Sequence, residues 1–195
     1  MEKKQLSRFE IKTQGQGLVT AIFSTFNVID HDGDVVLPGA FKNMAAVRIG
    51  AFAHTSWTGA LPVGKGVIVT TSTEAILEGK FFLDTTHGRD TFVTVSELGA
   101  MGEWSYSLEN IVAKRGTWGG KPARIISSVE VTEVCPVLRG ASLGTGTLST
   151  KDQDFTRREL LALREAFYAD EREQLQREYF RYLKLHLSRF YLGQI

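Results

Sequence analysis

Serine and histidine side chains offer the most useful chemistry in this sequence. Acyl transfer by serine needs a hydroxyl, a neutral imidazole that takes its proton, and a third group that orients the imidazole. His54 follows the apolar run 49–53 and precedes polar residues, so we expect it at a strand end, where a base can face a cleft. Ser105 and Ser107 alternate along a predicted strand and therefore share one of its faces. The pattern alone favours ordinary strand serines, and it lacks the Gly-x-Ser-x-Gly elbow of the α/β-hydrolases.

Metal and phosphate sites are poorly supported by the spacing of their ligands. The aspartates of segment 30–34 could face a calcium ion, but an EF-hand needs glycine at its sixth position and glutamate at its twelfth. Val35 and Phe41 stand there instead, which favours a polar turn. Four scattered histidines and one cysteine form no pair at zinc-ligand spacing, and there is no phosphate-binding loop. The sequence therefore predicts no metal and no cofactor.

Composition narrows the classes of partner. The 195 residues carry 23 Lys+Arg and 22 Asp+Glu, a formal charge of +1, and no basic stripe interleaved with aromatics is visible. Nucleic-acid binding is therefore disfavoured. No window reaches the roughly 18 apolar residues that a membrane-spanning helix needs, and the first residues lack a signal-peptide core. The single cysteine, Cys135, lies in an apolar run where it behaves as a small hydrophobe. These features predict a soluble, cytoplasmic protein.

Glycine and proline divide the chain into two regions. All 4 prolines and 18 of the 19 glycines lie in residues 1–150, which predicts a β-rich α+β domain punctuated by turns. Residues 151–195 carry 17 charged side chains and only Gly193 as a breaker. Asp154 is placed to cap a helix there, so this region is predicted to be a long charged helical tail.

Elements within the first region follow from hydrophobic runs and their boundaries. Two helices are predicted, at 38–47 with proline in the first turn and at 89–98 with Gly99 as the left-handed C-cap. The predicted strands are 18–26, 66–71, 75–83, 103–112 and 124–137.

Four ordered blocks carry a resemblance to a known family. They read Asn-Val-Ile-Asp-His-Asp-Gly-Asp-Val-Val-Leu-Pro-Gly-Ala-Phe at 27–41, Ala-Phe-Ala-His at 51–54, Glu-Trp-Ser-Tyr-Ser at 103–107 and Glu-Val-Thr-Glu-Val-Cys-Pro-Val-Leu-Arg-Gly-Ala at 130–141. Together they resemble the tailed-phage prohead (procapsid) maturation serine proteases, which are distantly similar to herpesvirus assemblin. The resemblance extends over residues 18–149.

This resemblance implies a base and a nucleophile. His54 matches the histidine of its block and is the implied general base. Ser105 matches the serine of the third block and is the implied nucleophile. Ser107 stands where the family usually has glycine, which makes it the alternative nucleophile.

The fourth block supplies the implied third member of the triad. Glu133 matches the acidic residue of that block. Glu130 is the alternative, but three positions along one predicted strand would turn it to the opposite face. Arg139 resembles, in order only, the arginine that supports the oxyanion in the herpesvirus relatives.

The resemblance also implies a fold, a reaction and partners. The fold is an assemblin-like β-barrel with flanking helices in residues 1–150, and the tail 151–195 recruits, dimerises or packs on the barrel. The reaction is serine endopeptidase cleavage of scaffold, or of the scaffold-like N-terminal segment of the major capsid protein, and of the protease itself. It takes place inside the procapsid in the bacterial cytoplasm, with a homodimer as a further partner and with no nucleic acid, membrane or cofactor. The competing hypothesis is a catalytically silent capsid-assembly protein that retains the fold.

Overall fold

The computed structural model describes residues 17–150 and 153–154. The elements of this part of the chain are β1 (Leu18–Thr25), β2 (Asp34–Val36), β3 (Ala46–Ile49), a 3-10 turn (Phe52–Thr58), β4 (Gly64–Thr70), β5 (Glu74–Phe81), α1 (Thr86–Leu98), a second 3-10 turn (Gly99–Met101), β6 (Glu103–Tyr106), β7 (Glu109–Trp118), β8 (Lys121–Glu130), β9 (Glu133–Val137), β10 (Gly146–Thr150) and β11 (Gln153–Asp154).

The strands form a large sheet and a small one. The large sheet has the order β11-β10-β1-β5-β4-β3-β9-β6, and the small sheet has the order β2-β8-β7. The large sheet curls into a nearly closed barrel, in which the edge strand β6 comes back toward β10. Trp104 of β6 donates its indole N–H to Thr147 Oγ1 at 3.0 Å and its backbone N–H to Thr145 Oγ1 at 3.3 Å. These two bonds tie β6 in place from the side opposite β9.

The core lies inside the barrel. Its largest fully buried side chains include Trp104, Phe23 and Phe81, which come from three different strands. A cluster of edge-to-face aromatic pairs joins Phe23, Phe41 and Tyr106, with ring centroids 5.2–5.4 Å apart. These aromatic contacts hold β6 against the core, although it is the edge strand of the large sheet.

Three predicted strands and one helix are confirmed with shifted ends. The segments 18–26, 66–71 and 75–83 correspond to β1, β4 and β5, and the segment 89–98 lies within α1. Gly99 ends that helix and donates its N–H to Val95 O. Its φ of +50° is positive as predicted, but its ψ of −120° lies outside the left-handed helical region, a conformation that glycine tolerates because it has no Cβ. The alternation of apolar and polar residues and the position of Gly99 were therefore enough to predict these four elements.

Two predicted strands are wrong as single elements. The segment 103–112 divides into β6 and β7, and the segment 124–137 divides into β8 and β9, because each pair crosses from one sheet to the other. Ser107 marks the crossing, since its Oγ accepts the backbone N–H groups of Thr132 and Glu133 at 3.1 and 3.0 Å. A continuous apolar pattern hides such a switch, because strands in both sheets alternate in the same way.

The predicted helix at 38–47 is also wrong. The segment forms turns, closed by bonds such as Ala40 N–H to Leu37 O at 3.0 Å, and then β3. Gly39 and Met44 have φ values of +87° and +60°, which break any right-handed helix. The exposed and buried alternation of Ala46–Ile49 outweighs the helix-start signal of Pro38.

Four strands were not predicted: β2, β3, β10 and β11. Asp154 lies in β11, so the sheet extends past residue 150, and the helix that Asp154 is predicted to cap lies outside the described residues. The rest of the predicted tail lies outside the described residues. Within the described ranges, no helix combines the length and apolar character needed to cross a bilayer. The likeness to assemblin stays a prediction.

Candidate active site

The turn Phe52–Thr58 carries His54 onto the start of β9. His54 Nδ1 lies 2.8 Å from Glu133 Oε1, and the two side chains are 18% and 8% exposed. Trp57 covers the imidazole from the same turn, with ring centroids 4.6 Å apart and planes tilted by 31°. The histidine is thus held on one side by a carboxylate and on the other by an aromatic face.

The backbone of this turn is unusual for residues with a Cβ. Ala53 has φ 56° and ψ 38°, and His54 has φ 57° and ψ 25°. Each residue in this left-handed conformation costs about 1–2 kcal/mol relative to the right-handed one. Strain of this kind persists only where surrounding contacts enforce it, and it concentrates at functional sites. Because Ala53 and His54 are both left-handed, the turn directs the imidazole of His54 back toward β9.

Glu133 is buried at the first position of β9, between two strands. It pairs with Arg48 in the parallel β3–β9 ladder. Its backbone N–H is held by Ser107 Oγ, and its backbone oxygen accepts the Ser107 N–H at 3.0 Å. These bonds fix the backbone of Glu133, and its buried carboxylate needs hydrogen-bond partners of its own.

The second oxygen of Glu133 is also fixed. Ser56, two residues after the histidine, donates its hydroxyl to Glu133 Oε2. On the other side lies Gly50, where an added Cβ would stand 2.3 Å from Oε2. Oε1 and Oε2 therefore have one partner each, and the carboxylate fits only because residue 50 lacks a side chain.

Ser105 faces the same side of the sheet as Glu133. In the antiparallel β6–β9 ladder it lies directly opposite Cys135, and Cys135 shares a face of β9 with Glu133 because side chains alternate along a strand. Ser105 is half-buried, and no hydrogen bond engages its hydroxyl among the residues described. The fold thus places this serine on the face where His54 meets Glu133.

Ser107 is engaged in structure. Its side chain is buried, shares a 2.6 Å hydrogen bond with Thr132 Oγ1 and accepts two backbone N–H groups. This hydroxyl, with three partners, anchors the point where the chain passes between the two sheets. Glycine, the usual family residue, could not make these side-chain bonds.

Cys135 is part of this cluster, which its apolar sequence context did not indicate. The side chain is fully buried. Burial raises the pKa of the thiol from 9.0 to about 12, an effect opposed by the backbone of His54 and reinforced by the Glu133 charge. At neutral pH the sulfur therefore stays protonated and is a poor nucleophile.

The remaining predicted site residues lie apart from this cluster. Glu130 is exposed at the end of β8 and accepts the amide of Asn110 at 2.7 Å. It is separated from Glu133 because the two residues belong to different sheets, not because they alternate along one strand. Arg139 is exposed just after β9 and makes no hydrogen bond or ion pair within the described part of the chain.

The aspartates of segment 30–34 serve the turn that contains them. Asp30 Oδ1 accepts the backbone N–H groups of Asp32 and Asp34 at 2.9 and 2.8 Å. The carboxylate of Asp34 is buried against the guanidinium of Arg124. Both carboxylates are therefore used by the polar turn that the spacing favoured.

Comparison with known proteins adds one match. The chain is 46% identical over 63 residues to the prohead protease of Enterobacteria phage HK97. It is therefore similar to a phage prohead protease. The match covers 29% of this chain and 27% of that protein, so the chain spans about a quarter of the length of this relative. No family model and no solved structure matches.

The similarity to a prohead protease confirms the resemblance found in the sequence blocks, whereas the roles of individual residues stay predictions. Two residues of the site, Ser56 and Gly50, were not predicted. Ser56 lies in the same polar stretch as His54, a weak signal that only the fold makes specific. Gly50 precedes the turn and carries no chemical group, so its importance depends entirely on where Glu133 lies.

Proposed function

We propose that this chain is a serine endopeptidase of phage capsid maturation, with Ser105 as nucleophile, His54 as general base and Glu133 as the group that orients the base. The observation that carries this proposal is the bond of His54 Nδ1 to Glu133 Oε1 at 2.8 Å, on the face of the sheet that also holds Ser105. The similarity to a protein named prohead protease supports the same function.

The bond between histidine and glutamate selects the tautomer that catalysis requires. With Nδ1 protonated and donating to the carboxylate, Nε2 keeps its lone pair and can accept the serine proton. When the proton arrives, the buried carboxylate stabilises the imidazolium that forms. Trp57 shields one face of the ring, which limits competition from water for that charge.

Ser56, Ser105 and Ser107 belong to the elements that surround this pair, and their hydrogen-bond partners distinguish them. Ser56 donates to the carboxylate, so it helps to position Glu133 rather than to attack a substrate. Ser107 is buried and used by the backbone of β9. Ser105 is half-buried, and no hydrogen bond joins its hydroxyl to His54 or to another described residue. In this proposal the bond to His54 Nε2 forms when substrate binds, because catalytic hydrogen bonds are often long in the absence of substrate.

A cysteine mechanism is disfavoured by the environment of Cys135. Its thiol is fully buried and its pKa is raised to about 12 by burial, whereas a nucleophilic cysteine needs a lowered pKa and access to substrate.

Arg139 supports the oxyanion in this proposal only if substrate binding brings the loop after β9 closer.

The proposed substrates are proteins of the immature capsid. We assign to this chain cleavage of scaffold, or of the scaffold-like N-terminal segment of the major capsid protein, and cleavage of itself. The reaction would take place inside the procapsid in the host cytoplasm. The tail 151–195 is proposed as a recruitment or dimerisation element.

The test is proteolysis of the capsid precursor by matched serine variants. Purified protein is incubated with the precursor, and fragments are identified by mass. Ser105→Ala should lower kcat by about 10⁶, the cost of removing a serine nucleophile. Ser107→Ala should retain the chemistry and lose stability instead, because it removes the acceptor of the Thr132 and Glu133 N–H groups, the second of which is buried.

Two results would contradict this proposal in different ways. Loss of cleavage in Ser107→Ala but not in Ser105→Ala, with both variants folded by circular dichroism, would reassign the nucleophile. A wild-type protein that binds the precursor without cutting it would favour the silent capsid-assembly hypothesis.

A further inference from the structure

Three side chains of metal-ligating type converge in the candidate site. A ring nitrogen of His54, a carboxylate oxygen of Glu133 and the sulfur of Cys135 lie within 4.8 Å of one another. Glu133 and Cys135 alternate along one face of β9, and His54 reaches them from the turn Phe52–Thr58. The sequence showed no ligand pair because His54 and Glu133 are 79 positions apart.

The identity of the ligands selects a class of cation. Thiolate and imidazole favour Zn²⁺ and similar transition metals, whereas Ca²⁺ and Mg²⁺ prefer sites built from oxygen alone. In a tetrahedral zinc site the metal lies about 2.3 Å from sulfur and about 2.0–2.2 Å from nitrogen or oxygen. Ligand atoms around such an ion are roughly 3.3–3.7 Å apart, so side-chain movements of about 1 Å would complete the site.

A four-coordinate zinc ion bound by these three side chains would have one coordination position left open. Ser105 lies directly across the ladder from Cys135, on the same face. A cation bound to three protein ligands would therefore stand next to the proposed nucleophile. Access is through His54, which is 18% exposed, because the sulfur itself is fully buried.

We infer that His54, Glu133 and Cys135 form a binding site for a thiolate-preferring divalent cation such as Zn²⁺, whose occupancy switches the proposed peptidase off. Binding forms a metal–sulfur bond and releases the thiol proton to solvent. It also engages the imidazole and the carboxylate, so the ring can no longer take the serine proton. Removal of the cation restores the pair. The switching part of this inference rests on the proposed function, whereas the binding site does not.

Cobalt(II) tests the site without any assay of activity. The untagged full-length protein, kept reduced, is titrated with Co²⁺, and the thiolate-to-cobalt charge-transfer absorption in the near ultraviolet is followed. We expect a band that saturates at one equivalent. Cys135→Ala should abolish it and weaken Zn²⁺ binding more than about tenfold, because even outer-shell changes at metal sites cost about 10–100-fold. Cys135→Ser is the second variant if alanine impairs folding.

Matched controls separate this site from adventitious binding. His87 is an exposed histidine of α1, so His87→Asn should leave the cobalt band unchanged. Absence of the band in the wild type, or an equal band in folded Cys135→Ala, would overturn the inference.

The effect on proteolysis is measured separately. Zn²⁺ is added to each variant, and cleavage is expressed relative to the metal-free activity of that variant. We expect inhibition of the wild type that a chelator reverses, and resistance in the Cys135 variants. A protein that shows the cobalt band but never cleaves the precursor would refute the proposed function and leave the metal site intact. Active protease that Zn²⁺ inhibits equally with and without Cys135 would refute the switch.

Discussion

Replacing Gly50 with alanine should disable the candidate site without adding any chemical group. An added Cβ would lie 2.3 Å from Glu133 Oε2 and 2.7 Å from its carboxyl carbon. Ordinary carbon contacts need about 3.5 Å, so the carboxylate must retreat by about 1 Å. It cannot do so while keeping the 2.8 Å bond to His54 Nδ1 and the bond from Ser56.

The magnitude follows from that displacement. Misplacing a catalytic group by 1 Å costs about 10² in rate, so we expect Gly50→Ala to lower kcat by about two orders of magnitude. Hydrogen bonds to charged groups contribute about 1.5–3 kcal/mol, and alanine recovers about 0.4–1 kcal/mol by restricting the unfolded chain. The net cost of about 2 kcal/mol should lower Tm by roughly 4–8 °C.

The assay is precursor cleavage beside thermal unfolding, with Gly102→Ala as the control. Gly102 has φ −75°, and the nearest atom to an added Cβ there is Leu98 Cβ at 3.4 Å, so kcat should stay close to wild type and Tm should rise slightly, because alanine restricts the unfolded chain. In a Glu133→Gln background Gly50→Ala should add little further loss of kcat, because both changes act through one interaction. A folded Gly50→Ala variant with wild-type kcat would refute the argument that the position of the carboxylate matters.

Other changes probe the same cluster. Glu133→Gln should keep the fold and lower kcat by up to about 10⁴, whereas Glu130→Gln, on the other sheet, should leave precursor cleavage nearly unchanged; similar losses in both would argue against Glu133 as the orienting group. Ala53→Gly should raise stability by about 0.5–1 kcal/mol, because relief of the left-handed strain exceeds the entropy that glycine adds to the unfolded chain, and an unchanged or lower Tm would show that the turn is not strained. The free energy of unfolding should fall as pH rises above 9.0, because the Cys135 thiol ionises in the unfolded chain, whereas burial raises its pKa to about 12 in the native state. Denaturant titrations at about pH 8 and pH 10.5 measure this loss of stability. Cys135→Ala should remove the part of the loss that comes from the thiol.

The sequence predicts regular elements correctly only where local signals agree. Leu18–Thr25 and Glu74–Phe81 alternate clearly and end at polar residues, so their strands could be predicted. The helix at 38–47 was wrong because proline and apolar spacing are local cues, whereas Phe41 is held in a turn by distant aromatic partners. Long-range packing decided that segment.

The site was predictable to a different degree for each residue. His54, Ser105 and Glu133 were singled out by matched blocks. The structure joins His54 to Glu133 by a hydrogen bond and sets Ser105 opposite Cys135 in the β6–β9 ladder, whereas their catalytic roles stay predictions. Ser56 and Gly50 were missed because their contribution is geometric: one fills a hydrogen-bond position and the other leaves space. Cys135 was interpreted as a small hydrophobe, and its sequence neighbours could not reveal that a turn 79 residues away from Glu133 would bring an imidazole beside it.

The position of β9 bears on when the proposed chemistry can begin. β9 pairs in parallel with β3 and antiparallel with β6, so it is inserted between strands that precede it in the chain. Until it is inserted, His54 lacks its carboxylate, and the left-handed turn lacks the bonds from His54 and Ser56 to Glu133. Pairings between segments so distant in sequence form late in folding, because the loop between them must first be closed. A chain still emerging from the ribosome would therefore carry the proposed nucleophile and the proposed base without the arrangement that joins them, so the proposed peptidase would be inactive until β9 is in place.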